Sequence, residues 1–200
     1  MVVLAVLIER FKKMIELTEN MKLFHYISDK EYSTLERINY IEKENNEFIQ
    51  TFSGKKFYIN KIRSEDICMQ DISHALSMLN RFGGHSTRTY SVAEHSVRVS
   101  DLIWKAKKNK KQALYGLLHD ASEIYISDIP SPFKRGPSFS QYREVEYKVQ
   151  SAIYNKFGLD ENEPSIVKEM DLRMLAIEAS LLMSCGISDW NLPYAPDYEY

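Results

Sequence analysis

The chain has 200 residues, of which 44% are hydrophobic and 27% charged, with a formal net charge of −2; this is the balance of a soluble globular domain with a sizeable core. The slightly acidic total gives no electrostatic case for wrapping DNA or RNA, so no nucleic-acid partner is expected. Two cysteines, Cys68 and Cys185, far apart and without C-x-x-C spacing, exclude a disulfide framework or a cysteine zinc knuckle and suit a reducing compartment, the cytoplasm.

In chain order, residues 1–8 form an apolar run with no basic stretch before it and Glu9-Arg10-Phe11-Lys12-Lys13 after it. That run is too short to span a bilayer and lacks the flanks of a signal peptide, so a helix packed on the domain or on a partner is expected, and no membrane. The segment up to residue 48 is rich in Lys and Glu and reads as a charged helical extension to a domain over 49–200.

From Phe57 onward helical periods dominate and strand alternation is scarce. Ile67, Ile72, Ala75, Leu76 and Leu79 have helical spacing over 66–79. The glycines of Arg81-Phe82-Gly83-Gly84-His85 then break the helix. Ser91 and Glu94 have capping-box spacing and predict a helix start that puts His95, Val99 and Leu102 on one face. A further helix is expected over 110–125, ended by the two prolines of Asp128-Ile129-Pro130-Ser131-Pro132. Tyr142, Val145, Val149 and Ile153 make 140–157 amphipathic, with Gly158 as its stop, and Pro164 opens a last long helix running to about residue 185. The expected architecture is all-α, a compact bundle of roughly five to seven helices.

Within this frame, His119-Asp120 follows the apolar string Ala113-Leu114-Tyr115-Gly116-Leu117-Leu118. Burying a carboxylate beside an imidazole is unfavourable unless charge or hydrogen bonds compensate, and a bound cation does so well. His95 upstream and Asp171 downstream complete a mixed N/O donor set suited to a divalent transition metal. Glu123 shares a helical flank with the pair and is placed to exchange a proton with a water on the cation. Arg81, Lys134 and Arg135 offer the positive charge a phosphate ester needs. Each has an ordinary reading beside this one. A histidine such as His95 on an apolar face is more often a hydrogen-bonded core residue, Asp171 can pair with Arg173, and the other charges can be solvated surface. His74 reads as structural, and His85 is open between turn and pocket.

These strings resemble the HD superfamily of metal-dependent phosphohydrolases, and within it the branch of bacterial 5'-deoxynucleotidases. Val92-Ala93-Glu94-His95-Ser96 is similar to its first-histidine motif, and His119-Asp120-Ala121-Ser122-Glu123, followed by Asp128-Ile129-Pro130-Ser131-Pro132-Phe133-Lys134, to its second. Asp71-Ile72-Ser73-His74-Ala75-Leu76-Ser77 and Arg81-Phe82-Gly83-Gly84-His85 resemble strings of small bacterial and phage members, among them a dATP triphosphohydrolase. The resemblance covers about 49–182 and leaves out the extension.

The resemblance implies a compact HD-domain helical bundle holding a divalent metal ion (Co, Mn, Zn or Mg) on His95, His119, Asp120 and Asp171. It implies Glu123 as catalytic acid/base and Asp128 beside the sugar and the attacking water. Arg81 matches an arginine that holds phosphate, and Lys134 is a second phosphate contact. Phe82 stands where the 5'-deoxynucleotidases have a tryptophan crowding the sugar 2' position, so selection for deoxyribose is less secure. Ser127 replaces a glycine, an exchange expected to have little effect. Attack at the 5'-phosphate of a nucleotide is the implied reaction, with a lean towards a nucleoside triphosphate losing its triphosphate. The alternative is a deoxynucleoside monophosphate giving deoxynucleoside and phosphate, and a non-catalytic nucleotide-binding regulator ranks below both. The implied partner besides the nucleotide is a second copy of the chain, in a dimer or hexamer.

Overall fold

The computed structural model describes residues 47–199, so the expected extension over 1–48, but for its last two residues, lies outside the described residues. The first described elements are two short antiparallel strands, β1 (Ile49–Gln50) and β2 (Lys56–Phe57), paired as Ile49 with Phe57 and Gln50 with Lys56. Gly54, at φ +83°, makes the turn. Strands this brief cannot show alternation, which is why the sequence does not reveal them.

The hairpin is tied to helix α1 (Met69–Met78) through Asp71. Its buried carboxylate accepts from Ser53 N at 2.6 Å and Ser53 Oγ at 2.9 Å, and from Cys68 Sγ at 3.1 Å. The helix expected over 66–79 begins only at Met69, because Asp66 closes a 3-10 turn, Ser64–Asp66, and Ile67 and Cys68 are extended.

Ser91 caps α2 (Val92–Lys107) by accepting from Glu94 N at 3.1 Å, and Asn109 caps α3 (Lys110–Leu118) by accepting from Gln112 N. The two helices close tightly because residue 116 is glycine: a Cβ there would meet Ile103 Cδ1 at 2.5 Å. Helix α3 does not continue to residue 125 as expected. It stops at Leu118, and a separate short helix α4 (Glu123–Ile126) follows. The cause is Gln150, whose amide takes the partners of the missing helical bond: its Oε1 accepts from Ser122 N at 3.0 Å and its Nε2 donates to Leu118 O at 2.7 Å.

After α5 (Ser131–Lys134), the long helices α6 (Ser140–Lys156) and α7 (Ser165–Leu182) complete the bundle. Gly158 at φ +72° stops α6, and Pro164 precedes the first residue of α7. Val99 and Ile103 of α2, Leu118 of α3, Val149 and Ile153 of α6 and Val167 of α7 are at most 1% exposed and form the centre of the core. The described residues are all-α apart from the small hairpin. Among the described residues no helix is long and apolar enough to cross a membrane.

Candidate metal centre

His95 lies in the first turn of α2, His119 and Asp120 in the turn after α3, and Asp171 in the second turn of α7. The fold draws them to one point. His95 Nε2 is 3.2 Å from His119 Nε2, 3.6 Å from Asp120 Oδ2 and 3.3 Å from Asp171 Oδ1. His119 Nε2 is 3.2 Å from Asp120 Oδ2 and 4.0 Å from Asp171 Oδ1. Donors held about 2.0–2.1 Å from a tetrahedral ion lie roughly 3.3 Å from one another, close to most of these separations. Atoms of His95, His119 and Asp120 all lie within 4.8 Å of one another. Asp171 faces them from α7, its other oxygen 2.7 Å from Lys168 Nζ.

Both imidazoles have their far nitrogen engaged. Glu178, on α7 two turns after Asp171, approaches His95 Nδ1 at 2.7 Å, and His119 Nδ1 lies 2.8 Å from Gly116 O. Both oxygens can accept, so each ring can donate from Nδ1 and, in its neutral form, present an Nε2 lone pair to the shared point. This arrangement fits a divalent cation, which the four side chains can hold. Burial opposes the charged form of His119, yet Asp120 and Asp171 outweigh it and push the imidazole up to about 9. Burial likewise opposes charge on Asp120, and His119, His95 and Arg81 hold its carboxyl well below the usual range.

Around this point lies the rest of the predicted set. Glu123, at the start of α4, is buried, and its Oε1 is 3.4 Å from Lys134 Nζ. Burial first, then Asp120 and Asp128, pushes its carboxyl up to about 9, against the pull of Lys134 and Arg81. Asp128, half-buried, is raised by burial and Asp120 and lowered by Arg81 and Lys134. Arg81 places Nη1 3.4 Å from Asp120 Oδ2 and Nε 3.2 Å from Glu178 Oε2. Phe82, at φ +57°, lies beside the Arg81 guanidinium and 6.1 Å from the Trp190 ring.

Two features escaped the sequence reading because contacts between distant residues create them. Lys134 is held most closely by Glu146 of α6, at 2.6 Å. Glu178 is 3% exposed and also accepts from Tyr90 OH at 2.7 Å. Its spacing of seven from Asp171 is the one signal that could have drawn attention to it. The lysines of 107–111 sit at the opposite end of α3 from His119, roughly 13 Å along the helix axis. Arg135 Nε bonds Ser131 O instead of facing the cluster. His74 is exposed and stacked on Phe52 at 3.6 Å, and His85 is exposed in its turn.

Ser127 departs from its expected neutrality. It adopts φ +69° and ψ 157°, a region that favours glycine, held there by Ser127 N donating to Glu123 O at 2.8 Å and by Tyr142 OH donating to Ser127 O at 3.0 Å.

No family model matches the chain. It is 44% identical over 131 residues to the uncharacterized protein YfdR of Escherichia coli, covering 66% of this chain and 70% of that protein. An uncharacterized protein of Rhodobacter capsulatus, RCAP_rcc00048, is 32% identical over 58% of this chain and 61% of its own length. A protein of Photorhabdus temperata named 5'-deoxynucleotidase yfbR is 28% identical over 60% of this chain and 76% of its own. A 5'-deoxynucleotidase of Citrobacter koseri is 26% identical over 58% and 73%. The last two support the HD-domain resemblance carried by the motifs, and the extent of the first match decides the closer kinship: the chain belongs to the family of YfdR.

Proposed function

We propose that this chain is a metal-dependent phosphohydrolase acting on the 5'-phosphate of a nucleoside monophosphate. The observation that carries the reading is the convergence of His95, His119, Asp120 and Asp171 with Arg81 3.4 Å from Asp120. The similarity to proteins named 5'-deoxynucleotidase supports the same substrate class. A triphosphate requires positive charge beyond the first phosphate, which Lys134, Arg135 and the lysines of 107–111 would have to supply. Lys134 is engaged by Glu146 and Glu123, and the 107–111 lysines lie away from the cluster. The available charge therefore suits one phosphate better than three.

His95, His119, Asp120 and Asp171 would hold the cation. When bound, it supplies Lewis-acid charge to the phosphate oxygens and lowers the pKa of water. Arg81 neutralises a further phosphate oxygen and screens Asp120 from the incoming anion. Water attacks phosphorus, the bond to the nucleoside 5' oxygen breaks, and that oxygen leaves with a proton, giving nucleoside and phosphate. Glu123 moves the proton, Lys134 holds the Glu123 carboxyl in place, and Asp128 sits on the sugar side of the reacting group. Phe82 lines the sugar with less bulk than a tryptophan, so ribose is discriminated against less strongly.

The test is incubation with ribo- and deoxynucleoside mono- and triphosphates in Mn, Co, Zn or Mg, resolving phosphate from triphosphate. Phosphate release from monophosphates is expected. Triphosphate release from triphosphates would move the assignment to a triphosphohydrolase, and no turnover of any nucleotide with any of these metals would end the enzyme reading. Asp120→Ala should lose both metal binding and turnover; full activity in that variant disproves the site.

A further inference from the structure

Glu178 is a carboxylate with 3% exposure, and burying such a charge costs several kcal/mol unless its oxygens are matched. The matching is unequal. Oε1 lies 2.7 Å from His95 Nδ1 and 2.7 Å from Tyr90 OH, whereas Oε2 is 3.2 Å from Arg81 Nε, an ion pair in which neither buried atom makes a hydrogen bond. Those two neighbours serve different halves of the site, since His95 offers Nε2 to the cation point and Arg81 ends on Asp120 Oδ2 beside it.

We infer that Glu178 is a positioning residue whose two oxygens divide the work, Oε1 setting the His95 tautomer and ring for the cation and Oε2 aiming Arg81 at the phosphate. The inference rests on the phosphohydrolase reading for the phosphate and on the cluster for the cation. A proton on Nδ1 leaves Nε2 as the lone-pair nitrogen, and without Oε1 the ring is free to rotate or adopt the other tautomer. Arg81 has a long side chain with several rotamers, and an ion pair at Nε leaves its outer nitrogens directed forward, Nη1 towards Asp120. Because Glu178 and Asp171 are seven residues apart on α7, a single helix sets a cation donor and the group that orients two others.

The division of oxygens makes two substitutions behave differently. In Glu178→Gln the amide oxygen can replace Oε1 against His95 and Tyr90, but the amide nitrogen then meets Arg81 Nε donor to donor. In Glu178→Ala both partners are lost. The readouts are Co(II) affinity of the metal-free full chain by visible absorption, and inorganic phosphate affinity of the Co(II)-loaded chain by calorimetry, with far-UV circular dichroism to establish folding. Glu178→Ala is expected to weaken Co(II) about 10–100-fold, with Glu178→Gln clearly tighter than Ala, and both to weaken phosphate about tenfold. Tyr90→Phe, which removes one neutral donor, should cost Co(II) affinity no more than about fivefold. Wild-type Co(II) affinity in Ala, or wild-type phosphate affinity in Gln, overturns the proposal, as does a Gln variant that loses Co(II) as far as Ala does. Should Ala fail to fold, the Gln and Tyr90→Phe variants carry the test. A wild-type chain that takes up no Co(II) removes the cation site and the proposal together. Expected binding results without nucleotide turnover leave the proposal standing and refute only the phosphohydrolase reading.

Discussion

The side-chain amide of Gln150 replaces the helical hydrogen bond that Ser122 N would otherwise give to Leu118 O, accepting from the first at 3.0 Å and donating to the second at 2.7 Å. One residue of α6 thereby ends α3 in a tightened turn, closed by Ala121 N to Leu118 O and Glu123 N to Asp120 O, that carries His119 and Asp120. In an unbroken helix Asp120 would point about 100° around the axis from His119. In the turn its Oδ2 comes within 3.2 Å of His119 Nε2.

Gln150→Ala should therefore reduce stability by about 1–2 kcal/mol, Ser122 N losing its partner while Leu118 O keeps the bond from Ala121 N. Co(II) affinity should fall with it, as the turn relaxes towards continuous helix. Urea unfolding and Co(II) titration measure the two effects, and wild-type values in both would show that the turn holds without the glutamine.

Ser127→Gly should stabilise the protein by about 1 kcal/mol, the relief of a strained φ exceeding the extra entropy glycine has when unfolded. For a chain of this size that is a rise of roughly 2–4 °C in Tm. A fall in Tm would mean that the serine conformation is not strained.

Asp71 gives a pH dependence away from the candidate metal centre. Burial raises its pKa, but hydrogen bonds from Cys68 and Ser53 outweigh burial and lower it below the ordinary aspartate value. A folded pKa below the unfolded one means that the stabilisation is present above the unfolded value of about 3.9 and is lost as pH falls through the folded value. Asp71→Ala should cost about 2–4 kcal/mol at neutral pH, and less as the pH is lowered through that window. Urea midpoints across pH 2–7 follow it; a deficit that stays constant with pH contradicts the account.

Glu123→Gln removes the proton-carrying group while leaving the four candidate ligands untouched. The expected result is a loss in kcat of about 10²–10⁴-fold with Co(II) affinity little changed. Activity close to wild type in this variant would falsify the acid/base role.

Much of this molecule was legible in the chain because helical periods and caps are local. Ser91 with Glu94, Gly158 and Pro164 mark helix ends where the structure has them. The short-range strings also picked out His95, His119, Asp120 and Asp171, residues whose side chains come together in space. Hidden from the sequence was everything set by a partner far along the chain. Gln150 breaks a helix 28 residues upstream of it, Glu146 occupies Lys134, and Glu178 reaches both His95 and Arg81. The positive φ of Ser127 was equally invisible, because a strained backbone is stable only when surrounding contacts enforce it. By itself, then, the sequence determined the helices and the donor set, through local propensity and residue chemistry. Tertiary structure alone decided where the helix at His119-Asp120 breaks, which cations lie beside the donor cluster and which carboxylate contacts both His95 and Arg81, since each depends on hydrogen bonds or ion pairs made across the bundle.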